Sequence, residues 1–186
     1  MIGYTCRYAP VELLRAFGAE PALLDGEERD FELAESLTHA NLCCHAKALI
    51  QQGTHTDELI LMDCCDSLRR SYDVLGQGEH GFLRLMDLPH EDGGCARERL
   101  KKELLLLADA YEAFRGTAFS KKVFLDACRE ASVRLPGEPF IAVLGARASP
   151  PLLEQIGREL PLPVANLTCS GNRDLGGLPE RWTLTR

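Results

Sequence analysis

The chain has 186 residues, a formal net charge of −7 and eight cysteines. That length suits one domain, or one domain and part of a second, and it buries a core without disulfide staples. The acidic balance excludes a general nucleic-acid binder, which needs a basic face, and 6% aromatic residues with a single Trp exclude base-stacking platforms.

The chain opens with Met1-Ile2-Gly3-Tyr4-Thr5-Cys6, a short strand that lacks the basic segment and apolar run of a secretory leader. No run of about 18 apolar residues occurs, so no membrane span is expected. Pro10 to Phe17 reads as a helix stopped by Gly18. Pro21 to Leu24 is a short apolar run closed by Asp25-Gly26. Phe31 to Gln52 reads as one long helix, with Leu33, Leu37, Ala40, Cys44 and Ala48 at helical spacing and Gly53 as its stop. Leu59 to Met62 is a strand, followed by Asp63-Cys64-Cys65-Asp66-Ser67 and a helix from Leu68 to Leu75. Phe82 to Met86 is the next strand, ending at Asp87-Leu88-Pro89. After His90 to Gly94 a helix runs from about Arg97 to Phe114 on a seam of Leu100, Leu104, Leu107, Tyr111 and Phe114. Ser120 caps a further helix with Val123, Phe124, Ala127 and Ala131 inward. Phe140 to Gly145 is a strand, Pro150 or Pro151 opens a helix through about Leu160, and Pro163 to Thr168 is a last strand ending at Cys169-Ser170-Gly171.

Strands alternating with helices predict an α/β fold with a mostly parallel sheet. The expected division is an N-terminal α/β domain over 1–94, a helical connector over 95–134 and a partial second α/β unit over 135–186. Ligands of such sheets sit beyond the carboxyl ends of the strands. That rule selects Cys64 and Cys65 after the third strand, Asp87 and Pro89 after the fourth, Gly145 and Ala146 after the fifth, and Cys169 after the sixth.

With no leader in view, the cysteines are expected in a reducing cytoplasm, where metal binding, catalysis or packing explains them. Cys43-Cys44 falls inside the long predicted helix, and Cys64-Cys65 falls at a strand-to-helix turn capped by Asp66-Ser67. Thiolates at a helix N-terminus are stabilised by its exposed N–H groups, so Cys64 or Cys65 suits a soft metal. Adjacent cysteines rarely both ligate one metal, so one member of each pair is the ligand expected. Cys128 lies on an apolar helix face and reads as packing; Cys95 has no functional argument; Cys6 ends the first strand at the same rim. Neither C-x-x-C nor the ferredoxin C-x-x-C-x-x-C spacing occurs, and Gly145 to Pro150 is no phosphate loop. His39, His45 and His55 stand near Cys43 and Cys44, which leaves zinc through Cys and His open.

These residues also resemble a known family. Gly3-Tyr4-Thr5-Cys6-x-Tyr8-x-Pro10-x-Glu12-Leu13-Leu14-x-Ala16-x-Gly18-Ala19-x-Pro21 is similar to the N-terminal signature of the 2-hydroxyacyl-CoA dehydratase family, which includes benzoyl-CoA reductase subunits and double-cubane cluster proteins. Leu42-Cys43-Cys44-His45-Ala46-Lys47 resembles its Leu-Cys-x-x-x-Arg helix, and Cys65-Asp66-Ser67-Leu68-Arg69-Arg70-x-Tyr72-Asp73 its Cys-Asp turn. Leu85 to Pro89, Phe140 to Gly145 and Cys169-Ser170-Gly171-Asn172-Arg173 continue the likeness. The resemblance implies flavodoxin-like domains and an oxygen-sensitive [4Fe-4S]-type cluster on three cysteines, the first two being Cys43 and Cys65. Cys44 and Cys64 are their competitors, and Cys169 is the candidate third ligand. It further implies an ATP-dependent activator that delivers an electron, an acyl-CoA substrate reduced to a ketyl radical, and a related subunit in a homo- or hetero-oligomer. The family carries more chain between Ser132 and Phe140 and beyond Arg173, so this shortened form is expected to work with a partner or a second copy. The other readings are a cluster-free interaction or regulatory subunit and a zinc protein.

Overall fold

A computed structural model of the chain describes residues 1–24, 30–91, 93–130, 136–137, 139–145 and 147–171. Expectations that fall on Asp25, Gly26, Ala131, Ser132, Ala146, Asn172 and Arg173 lie outside the described residues. The chain divides into two compact units, Met1–Ser120 and Lys121–Arg186.

The first unit is built on strands β1 (Ile2–Tyr4), β2 (Pro21–Leu23), β3 (Glu58–Asp63) and β4 (Phe82–Asp87). Its helices are α1 (Val11–Ala16), α2 (Glu32–Leu37), α3 (Cys44–Gly53), α4 (Asp66–Leu75) and α5 (Gly94–Arg115). The sheet order is β2-β1-β3-β4 and every pairing is parallel. The parallel α/β sheet is as expected from the sequence, and its order is the flavodoxin-like one that the family resemblance implies, in which the chain direction across the sheet reverses between β1 and β3.

β3 explains why the sheet holds. Its run Glu58-Leu59-Ile60-Leu61-Met62 is buried throughout, as a strand covered on both faces must be. Alternation sends Leu59 and Leu61 to one face, where they pack with Leu49 of α3 and Leu68 and Leu75 of α4. On the other face Glu58 receives two hydrogen bonds from α5: the Tyr111 hydroxyl donates at 2.5 Å and Arg115 Nη1 at 2.8 Å. The Tyr111 ring meets Phe17 and Phe82 edge-on, at centroid distances of 5.9 and 4.9 Å. Gly3 sits in register with Leu59 where β1 pairs with β3, and a Cβ there would stand 2.9 Å from Leu59 Cδ2, so a larger residue would make that side chain shift. Gly18 ends the turn after α1 at φ +75°, a conformation that favours glycine.

One expected element is different. The helix expected from Phe31 to Gln52 is two helices, α2 and α3, with 38–43 between them. Thr38 leaves the helix in extended backbone, and its hydroxyl donates back to the Ala34 carbonyl at 2.6 Å. His39 Nδ1 then accepts the Asn41 N–H. Thr, His and Asn are weak helix formers whose side chains offer such local alternatives, and these override the apolar spacing. Cys43-Cys44 therefore stands at the start of α3, not inside a helix.

The second unit carries α6 (Lys121–Glu130), β5 (Ile141–Val143), α7 (Pro150–Glu159) and β6 (Val164–Asn166). β5 and β6 pair in parallel, and α7 opens on Pro150 after Ser149, as read from the sequence. Ala127 and Cys128 are the buried residues of α6, whereas Val123, expected inward, is exposed. Among the described residues no helix is long and apolar enough to cross a membrane.

The Glu58 cluster gives a stability test. Burial first, then the hydrogen bond to Glu58 and its charge, hold the Tyr111 hydroxyl protonated well above its ordinary 10.0. The unfolded chain ionises first, so the Tyr111 contribution is complete below pH 10 and is lost as pH rises beyond it. Tyr111→Phe is expected to cost about 1.5–3 kcal/mol in urea unfolding at pH 7, the range for a hydrogen bond to a charged group. The difference between wild type and variant should shrink above pH 10; a constant difference would contradict this role.

Candidate functional site

The carboxyl ends of β1 and β3 flank the point where strand order reverses, the position at which sheets of this order bind ligands. Four cysteines gather there, from three segments of the chain. Cys6 follows β1, Cys64 and Cys65 follow β3, and Cys43 precedes α3.

The two members of each pair are placed differently. Cys65 is the N-cap of α4, with φ −164° and ψ 160°, and Cys43 is the N-cap of α3, with φ −66° and ψ 151°. Both are exposed, and Cys43 lies close enough that its charge acts on Cys65. The Cys65 thiol is nevertheless pushed above its ordinary 9.0. Burial of the sulfur is the largest cause, opposed in part by the backbone N–H groups of Leu68 and Ser67. Asp66 and Ser67, expected to cap this helix, instead lie within its first turn.

Cys64 points the other way. It packs against the cluster of Leu49, Leu59, Leu61, Leu68 and Leu75. Its sulfur shares a hydrogen bond with Cys6, which is 1% exposed. That contact, then burial, raises the Cys64 thiol far above the ordinary range. Cys44 is the first residue of α3 and is exposed. His45 lies one residue further along the same helix, half-buried; His39 is in the 38–43 segment and His55 just past α3.

The rim is charged but balanced. Asp63 and Asp87 are register neighbours at the ends of β3 and β4. Arg69 Nη2 donates to Asp63 at 2.5 Å, and Arg99 donates to Asp87. Two carboxylates beside the thiols are thus each matched by a guanidinium. The Thr5 hydroxyl, at the end of β1, is buried without a hydrogen-bond partner. Beside the two N-cap thiols lies an open cleft of about 440 Å³, walled by His39, Asn41 and Leu42 on one side and by Asp66, Ser67 and Arg70 of α4 on the other. The break after α2 creates this cleft, so reading one continuous helix hid it.

The remaining cysteines are elsewhere. Cys95 is exposed in the first turn of α5, not in a loop. Cys128 is buried in α6. Cys169 is half-buried in the turn after β6 of the second unit, between Thr168, whose hydroxyl donates to Asn166 Oδ1 at 2.7 Å, and Ser170. Among the described residues no group of three His, Cys, Asp or Glu stands arranged to hold a metal. Two thiols, Cys43 and Cys65, have the exposure and the soft-donor chemistry that suit an iron–sulfur cluster.

Exposure orders the thiols by reactivity. Timed alkylation of the reduced chain is expected to modify Cys43, Cys44, Cys65 and Cys95 first and Cys6 and Cys128 last, because only a solvent-accessible thiolate attacks. Early labelling of Cys6 would contradict the placement of the inner pair.

No curated protein matches the chain. The 2-hydroxyglutaryl-CoA dehydratase, D-component family matches it over residues 6–133, more than half of its length. The match takes in every cysteine except Cys169. With its parallel α/β sheet and the cysteines at the ends of β1 and β3, this chain belongs to the 2-hydroxyglutaryl-CoA dehydratase D-component family.

Proposed function

We propose that the chain is an iron–sulfur subunit that binds a [4Fe-4S]-type cluster through Cys43 and Cys65 and works with a related subunit. Its role is low-potential electron transfer, or dehydration or reduction of a CoA thioester in that assembly. The observation that carries this reading is the pair of exposed thiols that cap the N-termini of α3 and α4, two helices packed through one leucine cluster on β3.

When bound, such a cluster supplies one-electron chemistry at low potential. The chain's own contribution is positional. α3 and α4 are each N-capped by a cysteine, so helix packing on β3 positions the two sulfurs. The N–H groups of Ser67 and Leu68 stabilise negative charge on Cys65. The ion pairs of Asp63 and Asp87 keep two free carboxylates away from an already anionic site. His39, Ser67 and Arg70 line the neighbouring cleft and would contact a group bound there. The third thiolate comes from the partner subunit, and an ATP-dependent activator delivers the electron. The cytoplasm is the compartment that keeps these thiols reduced.

The lack of three clustered donors among the described residues favours a second reading, a cluster-free interaction or regulatory subunit that keeps the fold. Anaerobic reconstitution separates the two. The proposed function expects brown protein with iron and acid-labile sulfide in equal amounts. Cys65→Ser should lose most of the iron, because serine is a harder and poorer ligand, while Cys128→Ser should keep it. Colourless protein without iron would support the cluster-free subunit, and zinc in place of iron would support ligation by these cysteines with His45.

A further inference from the structure

β4 leaves one edge of the first sheet open. It is the last strand in the order β2-β1-β3-β4, and among the described residues it pairs with β3 alone. Met86 is the one buried residue of Phe82–Asp87, whereas β3 is buried from Glu58 to Met62. The strand carries no Pro or Gly, and its charges are Arg84 and Asp87. Native edges are blunted by charge, Pro or a covering element, because their free N–H and C=O groups otherwise pair with another strand. Helix α5 flanks this edge. Arg99, Glu103, Leu106, Ala110 and Phe114 recur at three- and four-residue spacing and form one stripe along the helix. The stripe follows β4: Arg99 donates to Asp87, Arg84 pairs with Glu103 at 3.6 Å, and the Phe114 ring meets Phe82 at 5.3 Å. Leu106 and Phe114 are nevertheless exposed, at 42% and 39%. We propose that a second copy of this chain pairs its β4 with this one, antiparallel about a two-fold axis, and joins the two sheets into one.

A second copy satisfies the strand edge and the helix stripe together. A strand edge is complementary to itself when turned antiparallel, so one surface serves both members of an isologous pair. With the axis perpendicular to the sheet, both copies of α5 lie on the same face. α5 spans β3 and β4: Tyr111 and Arg115 hold Glu58 of β3, while Arg99 and Glu103 hold β4. The two α5 axes then stand two strand spacings apart, about 9.6 Å at about 4.8 Å per spacing. Packed helices stand about 8–10 Å apart. Pairing the strands thus sets Leu106, Ala110 and Phe114 against the same stripe of the second copy. A foreign strand alone would fill the edge and leave the α5 stripe in water, and a foreign helix alone would do the reverse.

Charge permits this approach. Each chain carries a net charge of −7, so two copies repel at long range. At the seam, however, the charges are matched within each chain, Arg84 by Glu103 and Asp87 by Arg99. Charge also sets the register. Residues opposite one another in an antiparallel pair share a face of the sheet, so one residue of β4 sits on the axis. With Arg84 there, two guanidinium groups would stand opposite each other, an unfavourable arrangement. With Leu85 there, the two Leu85 side chains meet and Arg84 stands opposite Met86. Leu85 is therefore the axis residue.

The test uses the metal-free, fully reduced chain, so its outcome is separate from that of the cluster reading and disulfides play no part. Mass is measured by light scattering after size exclusion at micromolar concentration, and amide hydrogen exchange is followed in β3 and β4. The expected result is twice the mass of one chain, with slow exchange along all of β4. Leu106→Glu puts a charge into the seam at a position that is exposed within one chain. It should halve the mass, keep the circular dichroism spectrum and speed exchange in β4 but not in β3. Leu105→Glu is the control: that leucine is 37% exposed and lies off the stripe, so the variant should stay dimeric. A monomeric wild-type chain would overturn the inference, as would a dimeric Leu106→Glu variant or loss of the dimer in both variants. A wild-type monomer that gains mass only when mixed with another dehydratase-family subunit would also overturn it and give the edge to that subunit.

Discussion

β3 is hydrogen-bonded to β1 along one edge and to β4 along the other, with both faces covered by helices. The rest of the first unit depends on that strand staying in place. Burying leucines such as Leu59 and Leu61 is worth far more than the rim ion pairs: large-to-small changes at such sites cost about 2–5 kcal/mol, whereas exposed ion pairs contribute about 0–1 kcal/mol. Position along the strand thus decides role. Its apolar middle anchors the fold, and its carboxyl end, Asp63-Cys64-Cys65, emerges at a fixed place beside the end of β1. Glu58, at the opposite end, is a buried carboxylate satisfied by Tyr111 and Arg115, which fastens α5 to the sheet.

The consequence for the site is a division of labour within one dipeptide. Extended backbone at Cys65 sends consecutive side chains to opposite sides. Cys64 enters the core and meets Cys6, while Cys65 faces solvent at the start of α4. The same placement recurs at Cys43, which starts α3. Two helix N-termini thereby present two thiols to one region, each helix positioned by the leucine cluster it shares with β3. A soft metal group bound there would be held by core packing at one remove, without needing a dedicated loop.

Much of this was legible in the sequence, and the rest had specific physical reasons for being hidden. The apolar runs at Leu59 and Phe82 and the turn residues between them sufficed for a parallel α/β sheet, and the carboxyl-end rule picked out Cys64 and Cys65. The division at Thr38 was not legible, because Leu33, Leu37, Ala40, Cys44 and Ala48 keep helical spacing across a segment whose polar side chains bond locally. That one misreading concealed both the cleft and the N-cap position of Cys43. Spacing alone left Cys64 and Cys65 open, and only the family resemblance preferred Cys65, since the choice depends on which side chain the turn after β3 directs inward. The Glu58–Tyr111–Arg115 contact joins residues more than fifty positions apart, a separation no local pattern encodes.

Membership in the dehydratase family sets the chemistry to be expected, and the arrangement of thiols sets where in this chain it would reside. The most direct measurement is iron K-edge X-ray absorption on the anaerobically reconstituted chain, compared with a Cys43→Ser, Cys65→Ser double variant. The account predicts a sulfur-dominated iron shell with iron–iron scattering in the native chain and the loss of both in the double variant. An unchanged spectrum in the double variant, or an oxygen- and nitrogen-ligated iron in the native chain, would contradict it.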